Sequence, residues 1–599
     1  MKNKITKLIR SICVICGLIS GLLFSNTINI PADYSTIQAG LNVASEGDTV
    51  LVAVDTYYEN IIWPATNSIK LIGEDRETTI IDGDSLASVI RFDFEESDVV
   101  IDSTTQITGF TIQNGYAQNY PNYKGGGIYF DNSSPSLADV TISNNSAEYF
   151  GGGIYCSLSS PSLVNVTISN NSADSRGGGI YCCRFSSPSL VNVTISNNSA
   201  DSYGGGIYCY YYSSPSLADV TISNNSADSY GGGIYCTSYS RPSFSAENRC
   251  NIYSNNTINL PTGRTGRGIG TDIFASNCPV IDVIVDTFTV MNPTEYHALP
   301  LDDFTFDILN AVNPQQVDAD LYVSPDGDNS NDGLTAETPL KTIQHATSII
   351  LADSTNPHTI HLANGIYSPS TNGEYFPVEV ISYVSLVGES EDDVILDAEG
   401  VAGVMRCRYV SSSTISYLTL TNGSVSVDGG GGIYCEYSSP NLENVTISGN
   451  SAECSGGGIY CNYSSPNLAN VTISGNSAEW SGGGISCGSF SSPSLENVTI
   501  SGNSASSGGG ISSSSSSSPS LVNCILWNDA PQEVSVSFGS VNIFYSDIQG
   551  GWSGEGNIDL DPFFTDPENG NYTLQPNSPC IDAGTAFFVF EGDTLVNMS

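Results

Sequence analysis

Short runs of β-branched and aliphatic residues, with polar residues at alternate positions, are cut by Gly, Pro, Asn and Ser along nearly the whole chain. Alternation at period two is the mark of strands. The runs also come in a fixed order. Ser160 to Ala173 reads Ser-Pro-Ser-Leu-Val-Asn-Val-Thr-Ile-Ser-Asn-Asn-Ser-Ala, and near-copies of it alternate with Gly-Gly-Gly-Ile. The isoleucine of that string falls at Ile128, Ile154, Ile180, Ile207 and Ile234, then at Ile433, Ile459, Ile485 and Ile511, a period of 26 or 27 residues. A unit so small cannot bury an apolar face alone and must stack on its neighbours. With three strand segments and three turns, each unit predicts one coil of a solenoid. Successive coils would pair as parallel strands about 4.8 Å apart, with right-handed crossovers.

Stacking converts each position into a column. Ile154 and Cys156 share a face, as do Val166 and Ile168, and these are expected to point inward. The Cys156 column reads Phe130, Cys156, Cys182, Cys209, Cys236, then Cys435, Cys461, Cys487 and Ser513, as suits an apolar filler. Free inward thiols are favoured there over disulfides, because parallel Cβ vectors leave the sulfurs awkward to bridge. Cys183, next to Cys182, is expected to face solvent. Asn145, Asn171, Asn198, Asn225, Asn450, Asn476 and Asn503 form a second column, expected at a turn where Asn tolerates left-handed backbone and stacked amides hydrogen-bond along the axis.

Two segments break the strand pattern. Thr36 to Ala44 and Lys341 to Ala346 are apolar at helical spacing, and each precedes strand-like runs. A short amphipathic helix can cover the open end of a solenoid, whose bare edge would otherwise invite pairing. Two caps imply an all-β fold of two tandem right-handed parallel β-helices: residues 26–317 and 318–599, after a signal peptide over 1–25. The signal is read from Lys2, Lys4, Lys7 and Arg10 followed by an apolar run from Ile12 to Phe24. An uncleaved anchor is the alternative. No later run is long and apolar enough to cross a bilayer, so no transmembrane span is expected in the mature chain.

Composition sharpens this picture. Sixty glycines and a hydrophobic share of 39% fit turns and short strands. The net charge of −45 repels polyanions, which excludes nucleic acid as a partner. Sixteen cysteines in an exported chain permit disulfides without requiring them.

The stretch Thr36-Ile-Gln-Ala-Gly-Leu-Asn-Val-Ala-Ser-Glu-Gly-Asp-Thr-Val50 resembles the opening of right-handed β-helix proteins of the pectate-lyase-like superfamily. The repeats, Ile-Ser-Asn-Asn-Ser-Ala leading to Gly-Gly-Gly-Ile-Tyr, resemble those of chlamydial polymorphic outer-membrane proteins. The segments Tyr545 to Trp552 and Ser578 to Gly584 are similar to the ends of secreted β-helix repeat proteins. The resemblance implies this fold and export, with display at a cell surface or outer membrane. The polymorphic proteins are adhesins with a C-terminal membrane barrel, and no barrel-like stretch is read here. The uncapped run Asp593 to Ser599 is taken as the end of a fragment whose missing tail would anchor it.

Pectate-lyase-like folds often cleave acidic polysaccharides, which calls for an Arg or Lys base, or for paired carboxylates in a hydrolase. The repeats offer neither. The candidates are Arg406 and Arg408, alternating onto one strand face, with Asp397 in the preceding coil; surface charge pairing is the alternative. His358 and His361 fall on opposite faces of a strand, against a metal pair. Asp326, Asp328 and Asp332 alternate as in a Ca²⁺ loop, but Pro339 stands where its acidic twelfth ligand belongs, and a plain turn-rich loop explains them equally. No cofactor is otherwise expected. Tyr129, Tyr155, Tyr181, Tyr208, Tyr235, Tyr434 and Tyr460 lie between inward positions and are expected to point outward as an aromatic strip. Such a strip suits sugar rings or a partner protein, or stabilises the sheet by stacking.

Near-identical coils argue for a non-catalytic scaffold, secreted or surface-displayed, that serves adhesion or binds extracellular carbohydrate or a host or neighbour surface protein. The alternatives are a polysaccharide lyase or glycoside hydrolase, and a structural spacer of the cell envelope.

Overall fold

A computed structural model describes residues 25–94, 99–119, 121–255, 270–313, 316–426, 429–590 and 593–597. The expected signal segment lies outside these residues, apart from Ser25. The described chain forms two compact units, one of residues 25–255, 270–289 and 302–312, the other of residues 290–301 and 313–597. Each is a right-handed parallel β-helix opened by one short helix.

In the first unit a coil runs from the long strand Ser136–Ser143 through Ser146–Ala147 and Ile154–Ser157 to the next long strand, Ser162–Ser169. Each strand pairs with its counterpart one coil on, in strict register: Val140 with Val166, Ser146 with Ser172, and Ile154 with Ile180. The second unit repeats this with Asn441–Ser448, Ser451–Ala452 and Ile459–Asn462. The core is the stack of inward residues. Leu163, Val166, Ile168, Ile154 and Cys156 are at most 1% exposed, and each large aliphatic contributes roughly 1.5–3 kcal/mol by leaving water. The column from Phe130 to Cys236 is buried throughout, and every described cysteine is a free thiol.

Two features force the sharp corner before the isoleucine. The first glycine of each triplet is left-handed, at φ +68° in Gly151. A Cβ on the second, Gly152, would stand 2.2 Å from the carbonyl oxygen of Ser172, so only glycine fits.

The asparagine column forms a buried amide ladder. Asn145 Nδ2 donates to Asn171 Oδ1 at 3.0 Å, Asn171 to Asn198 at 2.9 Å, Asn198 to Asn225 at 2.9 Å and Asn225 to Asn255 at 3.1 Å. The left-handed residues are the preceding ones, Asn144, Asn170, Asn197 and Asn224, and Gly449, Gly475 and Gly502 in the second unit. The turn thus divides the labour that the sequence reading gave to one residue. Both ladders end on an acid: Asn255 Nδ2 donates to Asp272 Oδ1 at 3.0 Å, and Asn503 Nδ2 to Asp529 Oδ1 at 2.9 Å. Burial and the neighbouring Asp529 push the Glu533 carboxyl up to about 9.

The caps are built alike. In the helix Ile37–Val43, Thr36 Oγ1 accepts from Ala39 N, and the Glu59 carboxylate accepts from Ile37 N and Gln38 N at 2.8 and 2.9 Å. In Ile343–Ile349, Thr342 caps His345 N and Glu374 accepts from Ile343 N and Gln344 N at 2.6 and 3.1 Å. A remote carboxylate therefore satisfies the first N–H groups of each helix. At the other end of the second unit, the antiparallel hairpin of Phe587–Phe590 and Asp593–Asn597 sets Phe588 and Phe590 against Phe544, with ring centroids 4.7 and 4.9 Å apart.

Candidate functional site

The arginine candidates lie on Met405–Arg408, whose alternation sends Met405 and Cys407 inward. Arg406 stands in register with Glu379, and Arg406 Nη1 lies 3.1 Å from Glu379 Oε1, with both residues 8% exposed. Arg408 Nε lies 3.1 Å from Glu436 Oε2, and its guanidinium sits 5.0 Å over the Tyr434 ring. Each guanidinium is thus tied to a carboxylate of its own sheet. Asp397 belongs to a different sheet, where it accepts from Asn422 Nδ2 at 2.9 Å and Glu399 N at 2.8 Å. The structure does not bring the three together.

In the acidic loop the Asp328 and Asp332 carboxylates turn back on their own chain. Asp328 Oδ1 accepts from the Ser330 amide and hydroxyl, both at 2.8 Å, and Asp332 Oδ1 from Thr338 Oγ1 at 2.7 Å and Leu334 N at 3.1 Å. These bonds hold both carboxyls below the usual range. Asp326 precedes them in the same exposed turn. Among the described residues no three His, Cys, Asp or Glu side chains gather as metal ligands. His358 is buried with Nε2 2.9 Å from Asp318 Oδ1, whereas His361 faces out and stacks on Tyr322.

The tyrosine column differs from the expected open strip. Tyr129, Tyr155, Tyr181, Tyr208 and Tyr235 stand in register and point away from the core, with successive centroids 5.2, 5.4, 5.0 and 4.9 Å apart. Yet Tyr129, Tyr155, Tyr181 and Tyr208 are only 3–8% exposed. The residue before each glycine triplet roofs the column. The Phe150 ring stacks on Tyr181 at 4.7 Å, the Tyr203 ring lies 4.9 Å from Tyr235, and Lys124 and Arg176 lie over Tyr155 and Tyr208. Burial pushes these phenols well above their ordinary pKa. Alternation gave their direction correctly, but the turn side chains decide their exposure. In the second unit the roof position over Tyr460 is Gly429, where an added Cβ would stand 2.8 Å from the ring, and Tyr434 and Tyr460 stay half-buried. Cys183 is a second correction. It is buried, with Sγ 3.4 Å from both Tyr155 Oη and Cys156 O, because it tucks under the same roof.

The exposed aromatics form another row, which strand alternation could not find. They occupy the turn leading into each long strand: Phe185, Tyr212 and Tyr239 in the first unit, and Tyr409, Tyr437, Tyr463 and Phe490 in the second. All are left-handed, with φ between 48° and 63°, and 36–64% exposed. Ring centroids follow at 5.4 and 5.2 Å in the first unit, and at 5.1, 4.9 and 5.9 Å in the second. The signal was the string aromatic-Ser-Ser-Pro, present at Phe185, Tyr212, Tyr437, Tyr463 and Phe490. Its first serine is buried and accepts the N–H of its counterpart in the coil before, as Ser464 Oγ does from Ser438 N at 3.0 Å. Its second serine forms an outer row, with Ser465 N donating to Ser439 Oγ and Ser492 N to Ser465 Oγ, both at 2.9 Å.

Residues 80–277 match a family profile described as a right handed beta helix region, and residues 325–522 match one described as a protein of unknown function (DUF1565). No curated protein matches the chain significantly. Among solved structures, a mutant of the PL6 family alginate lyase AlyGC is 9% identical with a TM-score of 0.22, over 89% of this chain and 100% of that one. The A-module of the Azotobacter vinelandii mannuronan C-5 epimerase AlgE4 is 10% identical with a TM-score of 0.13, over 88% and 96%. The receptor binding domain of the siphovirus 9NA tailspike is 11% identical with a TM-score of 0.15, over 96% and 88%. These overlaps are too loose to transfer a site.

Proposed function

We propose that this chain, a right-handed β-helix repeat protein, is a non-catalytic scaffold, exported and displayed outside the cell, that binds extracellular carbohydrate or a neighbouring surface. One observation carries the reading: coil after coil sets the same residue at the same place. Ile, Tyr and Cys lie in register from Ile154 to Cys236 and from Ile433 to Cys461. Catalysis needs one unlike constellation, whereas a repeated surface suits a repeated ligand. Where the coils become irregular, the candidate arginines are tied to Glu379 and Glu436. Export is the reading of the basic and apolar N-terminal sequence, and no described helix is long and apolar enough to cross a membrane.

The test is incubation of the purified protein with acidic and neutral polysaccharides, with and without Ca²⁺, measuring both retention and product chain length. Retention with unchanged chain length is the expected result. Shortening of any substrate refutes the scaffold and directs attention to the lyase or hydrolase alternative.

A further inference from the structure

From the row of left-handed aromatics beside the outer serine row, we infer that each solenoid binds an extended, uncharged polysaccharide along its axis. The inference rests on the carbohydrate-binding reading above and names its surface and ligand class.

The first argument is conformational. A bulky aromatic at positive φ is an outlier, and such residues cluster at ligand sites. Elsewhere these coils meet the same backbone demand with residues suited to it, Asn144, Asn170, Asn197 and Asn224 or Gly449, Gly475 and Gly502. Tyr417 and Phe563 share this geometry singly, but at the turn leading into the long strand it recurs coil after coil, with Tyr or Phe at φ 48–63° and 36–64% of the side chain in water. Both solenoids do so.

A second, parallel row completes the surface. Ser439, Ser465 and Ser492 each accept the N–H of the serine one coil on, at 2.9–3.0 Å. Ser134, Ser160 and Ser187 repeat this in the first unit at 2.9–3.0 Å. A hydroxyl that accepts from the backbone still has its hydrogen to donate. The coils of Phe185, Tyr212, Tyr437, Tyr463 and Phe490 therefore each present one aromatic ring and one fixed hydroxyl two residues further on. Pyranose rings need that pairing, apolar C–H surface against an aromatic and hydroxyls against donors and acceptors.

Spacing and charge select the ligand. The rings repeat at 4.9–5.9 Å in the second unit, and an extended chain of equatorially linked pyranoses advances by one ring over nearly the same distance. Each coil then meets one sugar, and modest contacts sum along the row. The net charge of −45 opposes a uronate polymer. Tyr and Ser together also supply contact area at low conformational cost.

The experiment compares the purified protein with a sixfold variant, Phe185→Asn, Tyr212→Asn, Tyr239→Asn, Tyr437→Asn, Tyr463→Asn and Phe490→Asn. Affinity electrophoresis is run in hydroxyethyl cellulose, xylan and galactomannan, and in alginate and polygalacturonate. Asn accepts the left-handed backbone, so the thermal midpoint is expected to hold or rise. The wild type should bind at least one uncharged polymer, and the variant about tenfold or more weakly. Equal binding by the variant overturns the row, while the carbohydrate-binding reading stands. Binding of anionic polymers alone overturns the ligand class and leaves that reading intact. Binding of none of the panel removes both. Should the variant fail to fold, nitration of the wild type decides: bound glycan must protect Tyr437 and Tyr463, and unchanged nitration overturns the assignment.

Discussion

Replacing Asp272 by asparagine would complete the first amide ladder, and the gain can be worked out. Asp272 is fully buried, and its Oδ1 accepts from Asn255 N at 3.3 Å and Asn255 Nδ2 at 3.0 Å. Among the described residues Oδ2 has no hydrogen-bond partner. Burial pushes this carboxyl up to about 7, against the opposing pull of the Asn255 hydrogen bonds. Folded, the acid keeps its proton to about pH 7; unfolded, it loses it near 3.9. Between those values the folded state binds the extra proton. Its contribution is therefore fully present below about pH 4 and is lost as pH rises through about 7. Roughly three pKa units at about 1.36 kcal/mol each set a ceiling of ~4 kcal/mol on the loss. Asp272→Asn keeps both accepted bonds and removes the titration. Solenoids can open coil by coil, so a global melt blurs the effect. Hydrogen exchange at the Asn225 and Asn255 amides reads it locally. The variant should be more protected than the wild type at pH 8, by up to ~4 kcal/mol, and equally protected at pH 4. The same gap at both pH values, or none at pH 8, would refute the reasoning.

Three further outcomes follow from the packing. Gly152→Ala drives a Cβ to 2.2 Å from the Ser172 carbonyl and 2.6 Å from that of Gly178; urea titration should show a loss of several kcal/mol, and a loss under about 1 kcal/mol would mean the corner can open. Arg406→Met strands the nearly buried Glu379 and should cost about 3–5 kcal/mol, while Arg406→Met with Glu379→Leu should recover most of it in the same titration. Native maleimide labelling read by mass spectrometry should reach half-exposed Cys454 first. It should spare Cys156, Cys182, Cys209 and Cys236 until denaturant is added, since burial raises the Cys156 and Cys182 thiols and hides all four.

The architecture was legible because a solenoid writes its register into its sequence. Ile154, Ile180 and Ile207 recur at the coil period, and in the structure they are Cα partners in adjacent strands. The caps were legible for a similar reason: among the described residues, only Ile37–Val43 and Ile343–Ile349 break period two for a helical spacing just before a new run of coils. What closes each cap was not legible. Glu59 and Glu374 reach back 22 and 31 residues to the helix N-termini, and no local pattern marks a carboxylate for that task.

The candidate site was harder to read because alternation fixes the direction of a side chain and leaves its exposure open. Tyr181 points away from the core as expected, yet Phe150, from the preceding coil's turn, lies across it. In the second unit Gly429 stands at the roof position over Tyr460, and the column there is only half-buried. Surface character in this fold is therefore set by pairs of turn and strand residues about one coil apart, which a strand-by-strand reading treats separately. The aromatic row escaped for a related reason. Its residues sit at positive φ, outside any strand period, and their alignment appears only when the turns are superposed on the buried serine beside them. That serine supplies the register: Ser438, Ser464, Ser491 and Ser517 are joined N–H to hydroxyl at 3.0–3.1 Å. A hydroxyl ladder so placed fixes the residue before it, aromatic at Tyr437, Tyr463 and Phe490, even where Phe490 lies one residue further from its inward cysteine than Tyr463 does. An inserted residue is thus absorbed in the turn without moving the ring out of line, as expected where the position of the ring, and not the length of the turn, is under constraint.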